Sequence, residues 1–272
     1  MKIIEANGAR IPAIGLGTWN LRDEVGTSMV GEALRIGYRH VDTAAMYGNE
    51  EAVGEGIRGS SVPREDVFLT TKVWPDDLAA KDFRRSAEQS LKKLKLAYVD
   101  LLLIHWPSRT VPLAETLQAM AAAKRDGLAR HIGISNFTVA LIDEAVKLST
   151  EPLVVNQVEM HPYLDQSRVV TASRKHGLAV TAYSPIARGS SAGDKVLARI
   201  GEQHGKSAAQ VSLRYLVQQD VIVIPRTSKA ERLKENLAIF DFTLTEMEMA
   251  EIKGLSRQDG RVVNPGVAPD WD

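Results

Sequence analysis

Short apolar runs recur along the chain, and polar residues stand where they end. Val41 leads into Asp42, Val67-Phe68-Leu69 into Lys72, and Leu101-Leu102-Leu103-Ile104 into His105. Further runs end near Ser135, Glu159, Tyr183 and Pro225, with an earlier one at Ile14-Leu16, which makes about eight strands. Between them the apolar positions recur at helical spacing over Asp82–Leu94, Glu115–Arg125, Thr138–Leu148, Gln166–His176 and Ser207–Val217. Asn7-Gly8, set between short apolar runs, marks a terminal hairpin. Strands that alternate with helices predict a parallel sheet covered by helices. The near-continuous Val/Ile/Leu content of the strands is expected where both faces are buried.

Two architectures satisfy this pattern: an open doubly wound sheet and a closed (β/α)8 barrel, the TIM barrel. The length of 272 residues and the absence of a Pro-, Gly- or Ser-rich linker favour a single barrel domain over 1–272. The hairpin and a C-terminal tail account for the excess. The longest stretches without periodicity are Ser184–Gly193 and Ser256–Asp272, where cofactor and substrate contacts are expected.

Composition narrows the partners. Lys+Arg and Asp+Glu both number 34, so no basic face for nucleic acid is expected. There is no cysteine, hence no disulfide and no thiol chemistry. The N-terminus is too polar for a signal peptide, and no apolar run approaches the roughly 20 residues of a membrane span. The expectation is a cytoplasmic protein. The six histidines show no metal-ligand spacing, so no metal is expected.

In a parallel barrel all strand ends share one rim, so Asp42, Tyr47, Lys72 and His105 would converge there. An acid, a phenol, an amine and an imidazole together suggest proton handling. Tyr47 is a weak acid at neutral pH, with an ordinary pKa of about 10. A Lys72 ammonium about 4 Å away would favour the phenolate by about 4 kcal/mol at an effective dielectric of about 20. Asp42 would hold Lys72 in place, and His105 would orient a carbonyl oxygen. Taken singly, Asp42 reads as a turn or helix cap, Lys72 as solvated and His105 as a core histidine; the joint pattern carries the assignment.

The motifs resemble those of the aldo-keto reductases. They are Gly15-Leu16-Gly17-Thr18-Trp19, Asp42-Thr43-Ala44 with Tyr47-Gly48-Asn49-Glu50, Thr71-Lys72-Val73-Trp74 and Leu103-Ile104-His105-Trp106-Pro107. Gly133-Ile134-Ser135-Asn136-Phe137, Asn156-Gln157-Val158-Glu159-Met160-His161-Pro162, Ala182-Tyr183-Ser184-Pro185 and Glu235-Asn236 follow in order. The resemblance is to bacterial, 2,5-diketo-gluconate reductase-like members. It implies the barrel, a monomer, and NADPH-dependent reduction of a small aldehyde or ketone, with Tyr47 as general acid and Asp42, Lys72 and His105 completing the catalytic set.

The same resemblance implies the cofactor residues. Tyr183 would stack on the nicotinamide, with Ser135, Asn136 and Gln157 as carboxamide partners. Gly17, Thr18, Trp19 and Asp42 would flank it. Ser184, Pro185, Ile186, Arg188 and Gly189 would cover the pyrophosphate. Pro225, Arg226, Thr227, Ser228, Arg232, Glu235 and Asn236 would hold the adenosine end. Arg226 stands where the family carries lysine; it keeps the charge and can bind phosphate through two nitrogens. The substrate wall is expected from Trp19, Tyr47, Trp74, His105, Trp106 and Trp271, with Met46 and Tyr163 as weaker candidates. Gly54-Glu55-Gly56-Ile57-Arg58-Gly59 matches a dinucleotide fingerprint, but it follows a helical pattern rather than a strand and is set aside.

Overall fold

The computed structural model describes residues 2–272. Two short strands, β1 (Ile3–Ala6) and β2 (Ala9–Pro12), form an antiparallel hairpin. Asn7 and Gly8 carry φ of 43° and 89°, as a two-residue hairpin turn of the I′ class requires. Eight parallel strands follow: β3 (Leu16–Gly17), β4 (His40–Asp42), β5 (Phe68–Val73), β6 (Val99–Ile104), β7 (Ala129–Ser135), β8 (Leu153–Glu159), β9 (Ala179–Tyr183) and β10 (Ile222–Val223). The last meets the first. Ile14 bridges Val223 in parallel, and Gly15 and Gly17 donate their N–H groups to the carbonyls of Val223 and Pro225. The sheet is therefore closed, and the open alternative is excluded.

Helices α1 (Asp23–Arg35), α2 (Glu50–Arg58), α3 (Ala80–Leu94), α4 (Leu113–Arg125), α5 (Val139–Leu148) and α6 (Ser167–Lys175) each link consecutive strands. α7 (Lys195–His204) and α8 (Ala208–Gln218) both lie between β9 and β10, and α9 (Ala230–Leu237) and α10 (Glu246–Lys253) follow. The helical periodicities place α3, α4, α5, α6 and α8 to within two residues. α7 and α10 carry only short amphipathic stretches, and their start signals are local. Asp194 caps α7, and Thr245 with Glu248 forms a capping box on α10.

The barrel interior explains where the polar residues stand. Side chains two apart on a strand share a face. On β5 the inward column reads Phe68, Thr70, Lys72; on β6 and just beyond it reads Leu101, Leu103, His105; on β8 it reads Val155, Gln157, Glu159. Each column is apolar low in the barrel and polar at the C-terminal rim. The low ends join Ala6, Ala9 and Ile11 of the hairpin in one apolar cluster, so the hairpin stoppers the N-terminal end. Asn7 pins its tip by donating to the carbonyls of Leu153 (2.7 Å) and His176 (3.1 Å).

Gly54 and Gly56 of the fingerprint-like motif lie inside α2, and Gly59 follows as its C-cap. A Cβ on Gly54 would come within 2.1 Å of the Leu94 carbonyl oxygen, and one on Gly56 within 2.7 Å of the Thr27 oxygen. They let α2 pack closely on α3 and α1. Among the described residues no helix is long and apolar enough to cross a membrane.

Candidate active site

Asp42, Tyr47, Lys72 and His105 do converge on the rim. Lys72, with no exposed surface, donates to Asp42 Oδ1 (2.5 Å), to the Thr43 carbonyl (2.8 Å) and to the Tyr47 hydroxyl (3.4 Å). The second Asp42 oxygen accepts from Gln157 Nε2 at 2.7 Å. Tyr47 ends a 3-10 turn (Ala45–Tyr47) that Gly48 closes in the left-handed region, φ 65°. Its ring meets the His105 ring edge-on at 5.6 Å, and Trp74 meets the other side of His105 at 5.1 Å.

Burial dominates the electrostatics. It pushes the Lys72 ammonium down from its ordinary value, against the opposing pull of Asp42. It drives His105 well below the usual imidazole range, helped by the Lys72 charge, so the ring is neutral. Tyr47 runs opposite to the expectation from charge alone. Its pKa is raised well above the phenol value, first by burial and then by Asp42. The reason is that burial strips the phenolate of its water, and the nearby Asp42 carboxylate adds a like charge.

Asn136 knits the neighbouring strand ends together. Held at φ 63°, it donates Nδ2 to the His105 carbonyl (2.9 Å) and to Ser135 Oγ (3.0 Å), and its Oδ1 accepts from the Tyr183 hydroxyl (2.8 Å). Ser135 Oγ in turn donates to the Gln157 carbonyl at 2.8 Å. Tyr183 is half-buried at its strand end. From there, Ser184, Ala187, Arg188 and Gly189 all adopt positive φ. This loop brings the exposed Arg188 guanidinium to 5.5 Å from the Trp19 ring across the rim. Beyond β10, Arg226 is exposed and donates to the carbonyls of Trp19 (3.2 Å) and Asn20 (3.4 Å), with Ser228 and Arg232 exposed nearby.

A family model described as "Aldo/keto reductase family" matches residues 13–257. The chain belongs to the aldo-keto reductase family. This is a family of NADP-dependent oxidoreductases. A relative called "Methylglyoxal reductase DkgB" from Escherichia coli O157:H7 is 42% identical over 265 residues, covering 96% of this chain and 99% of its own. "Glyoxal reductase" from Bacillus subtilis (strain 168) is 40% identical, covering 95% of this chain and 94% of its own. A crystal structure described as a putative 2,5-diketo-D-gluconic acid reductase B superposes with TM-score 0.98 at 51% identity, over 100% of this chain and 98% of that one. The Bombyx mori aldo-keto reductase, solved in complex with NADP, superposes with TM-score 0.91 at 35% identity, over 99% of this chain and 97% of that one.

Within this aldo-keto reductase the remaining expected residues divide by exposure. Thr18 is fully buried and its hydroxyl donates to the Asp42 carbonyl at 2.9 Å, so it supports the rim from inside. Thr227 is buried and its hydroxyl accepts from Lys229 N (3.0 Å) ahead of α9. The Glu235 carboxylate accepts from Ser207, tying α9 to α8; Asn236 and Pro225 are buried, and Ile186 is half-buried. Gly17 packs on β10, where a Cβ would meet the Ile224 carbonyl oxygen at 2.6 Å.

The expected wall residues differ in exposure. Trp106 is only 4% exposed, with the Trp271 ring 6.1 Å from it. Tyr163 is buried, with its phenol donating to Asp194 (3.1 Å). Trp19 and Met46 are exposed, and Trp74 is half-exposed.

Two polar residues went unassigned in the sequence. Buried Asn49 accepts from Thr43 Oγ1 (2.8 Å) and donates to the carbonyls of Thr18 (2.7 Å) and Leu21 (2.8 Å), fixing the turn that carries Tyr47. Its place in Tyr47-Gly48-Asn49-Glu50 was the only signal. The other is Glu159, at the top of the β8 column.

Proposed function

We propose that the protein reduces a small aldehyde or ketone to the alcohol with NADPH, with Tyr47 giving the proton. What carries this reading is the contact of a fully buried Lys72 with both Asp42 (2.5 Å) and Tyr47 (3.4 Å) on one rim. The residues suit the cofactor. Tyr183 offers a half-buried ring face beside the Ser135, Asn136 and Gln157 polar groups. At the far end Arg226, Ser228 and Arg232 offer exposed donors for phosphate, and the loop with left-handed Ser184, Ala187, Arg188 and Gly189 is backbone that can wrap a chain of phosphates. Bound NADPH supplies a hydride, with its electron pair, to the carbonyl carbon.

The protein's own residues do the rest. A carbonyl oxygen sits between the Tyr47 hydroxyl and the His105 ring. Neutral His105 donates a hydrogen bond and orients the oxygen, and it carries no extra proton to give. Tyr47 keeps its proton until negative charge grows on that oxygen, because its pKa is raised. The proton then passes to the oxygen. The phenolate left behind lies 3.4 Å from the Lys72 ammonium, an attraction of roughly 5 kcal/mol at an effective dielectric of about 20 before Asp42 is counted. Lys72 is thus worth most after the proton has moved, which is where stabilisation accelerates the reaction. Trp19, Trp74 and Trp271 form an apolar wall suited to a small organic substrate. We take residues 1–272 to act as one unit.

Tyr47→Phe removes the proton and leaves the cofactor groove unchanged. Its turnover of methylglyoxal, followed by NADPH oxidation, is expected to fall by about 10²–10⁴-fold, with NADPH affinity by fluorescence titration unaltered. Turnover near the unsubstituted level in this variant refutes the assignment.

A further inference from the structure

Glu159 touches none of the four groups in the proton-handling cluster, yet it is fully buried at the end of a barrel strand, opposite Tyr183 in register. Its Oε1 accepts from Val262 N (2.6 Å) and His161 Nε2 (3.0 Å), and its Oε2 accepts from Val263 N (2.9 Å). Two consecutive backbone N–H groups of the C-terminal segment thus grip the two oxygens of one carboxylate. The junction is tight on its other side as well. Arg257 N donates to the Tyr163 carbonyl (3.1 Å), and a Cβ on Gly260 would come within 1.8 Å of that same oxygen.

Past this junction the segment crosses the loops after β6 and β7. Arg109 donates to the Ala268 carbonyl (2.7 Å), the Asp272 carboxylate accepts from Val139 N (2.8 Å), and Trp271 lies over Trp106 with the Arg261 guanidinium stacked at 3.6 Å. Arg109 and Asp272 are exposed. Hydrogen bonds to water-exposed side chains exchange readily for water and add little net stability. The Glu159 junction is the firm end of the segment, and the position of Trp271 depends on it.

We propose that Glu159 is a positioning residue that sets carbonyl-substrate affinity by clamping the C-terminal segment, and with it Trp271, against the barrel rim. This rests on the proposed reductase reading for the meaning of affinity, although the clamp itself is measurable without turnover. A glutamine at 159 keeps one acceptor oxygen and turns an NH2 toward a backbone N–H, so one of the two grips becomes a donor facing a donor.

The test uses the full chain. In Glu159→Gln, hydrogen exchange at the Val262 and Val263 amides is expected to accelerate at least about ten-fold. KM for a bulky aromatic aldehyde should rise about ten-fold, with kcat changed less than about two-fold and NADPH affinity unchanged. Gly260→Ala, which disturbs the junction from the Tyr163 side and leaves the carboxylate intact, should raise the same KM. Trp271→Ala should also raise it, and Glu159→Gln added to Trp271→Ala should raise it no further. Faster amide exchange with KM unchanged overturns the proposal, as does a KM increase of equal size in the Trp271→Ala background. Failure of the reductase reading shows separately, as no NADPH oxidation by the unsubstituted protein with any aldehyde tested.

Discussion

The Arg226 guanidinium holds the Trp19–Asn20 turn through two carbonyls and, like Arg232, is exposed. Under the proposed function it would also meet the phosphate that NADPH carries and NADH lacks. Arg226→Ala would then loosen the turn for either cofactor but remove a phosphate partner only from NADPH. Charge-assisted hydrogen bonds are worth about 1.5–3 kcal/mol, which corresponds to a ten- to hundred-fold greater loss of affinity for NADPH than for NADH. Fluorescence titration with both cofactors measures it, and equal losses would show that Arg226 acts only through the turn. At this scale the sequence was legible where chemistry and position coincide. Asp42, Lys72 and His105 end apolar runs, and the rim follows. The direction of the Tyr47 shift was not legible, because it turns on burial and on the like charge of Asp42. Glu159 hid for another reason: besides His161, its partners are backbone amides 103 and 104 residues away.

Strands were easier to read than helices. Strands buried on both faces must be apolar throughout, so their ends stand out. α7 and α10 stand apart from the strand–helix alternation, α7 as a second helix between β9 and β10 and α10 after the last strand, so the alternation gives no place for them. Glycines within helices show how far context decides. A Cβ on Gly31 in α1 would meet only the Gly56 carbonyl oxygen, at an ordinary contact distance of 3.9 Å, whereas one on Gly54 in α2 would meet the Leu94 oxygen at 2.1 Å. Gly31→Ala is expected to stabilise by about 0.4–1 kcal/mol. Gly54→Ala is expected to destabilise by about 1–3 kcal/mol, because α2 and α3 must move apart. Urea unfolding of the two variants checks the opposite signs, which helix propensity alone would make the same.

The whole molecule carries several histidines whose ordinary value of 6.5 is depressed by burial: His40, His105 and His131. A depressed group binds its proton in the unfolded chain before it does so in the native one. Stability is then complete above about pH 6.5 and is lost as pH falls toward the folded values, at up to about 1.4 kcal/mol per pH unit for each group. Glu50, raised by burial, works in the opposite direction just above its ordinary 4.5, but it is one group against three. The urea midpoint is expected to be lower at about pH 5.5 than at about pH 7.5. An equal or higher midpoint in acid would mean that the histidines take up protons without unfolding.

The hairpin stopper has a steric meaning. With the N-terminal end filled by Ala6, Ala9, Ile11 and the low side chains of the strands, the barrel has one doorway. Under the proposed function, substrate arrives, product departs and the nicotinamide turns over through the same opening. Cofactor and substrate must then be accommodated side by side on the C-terminal rim, because the opposite end is already filled.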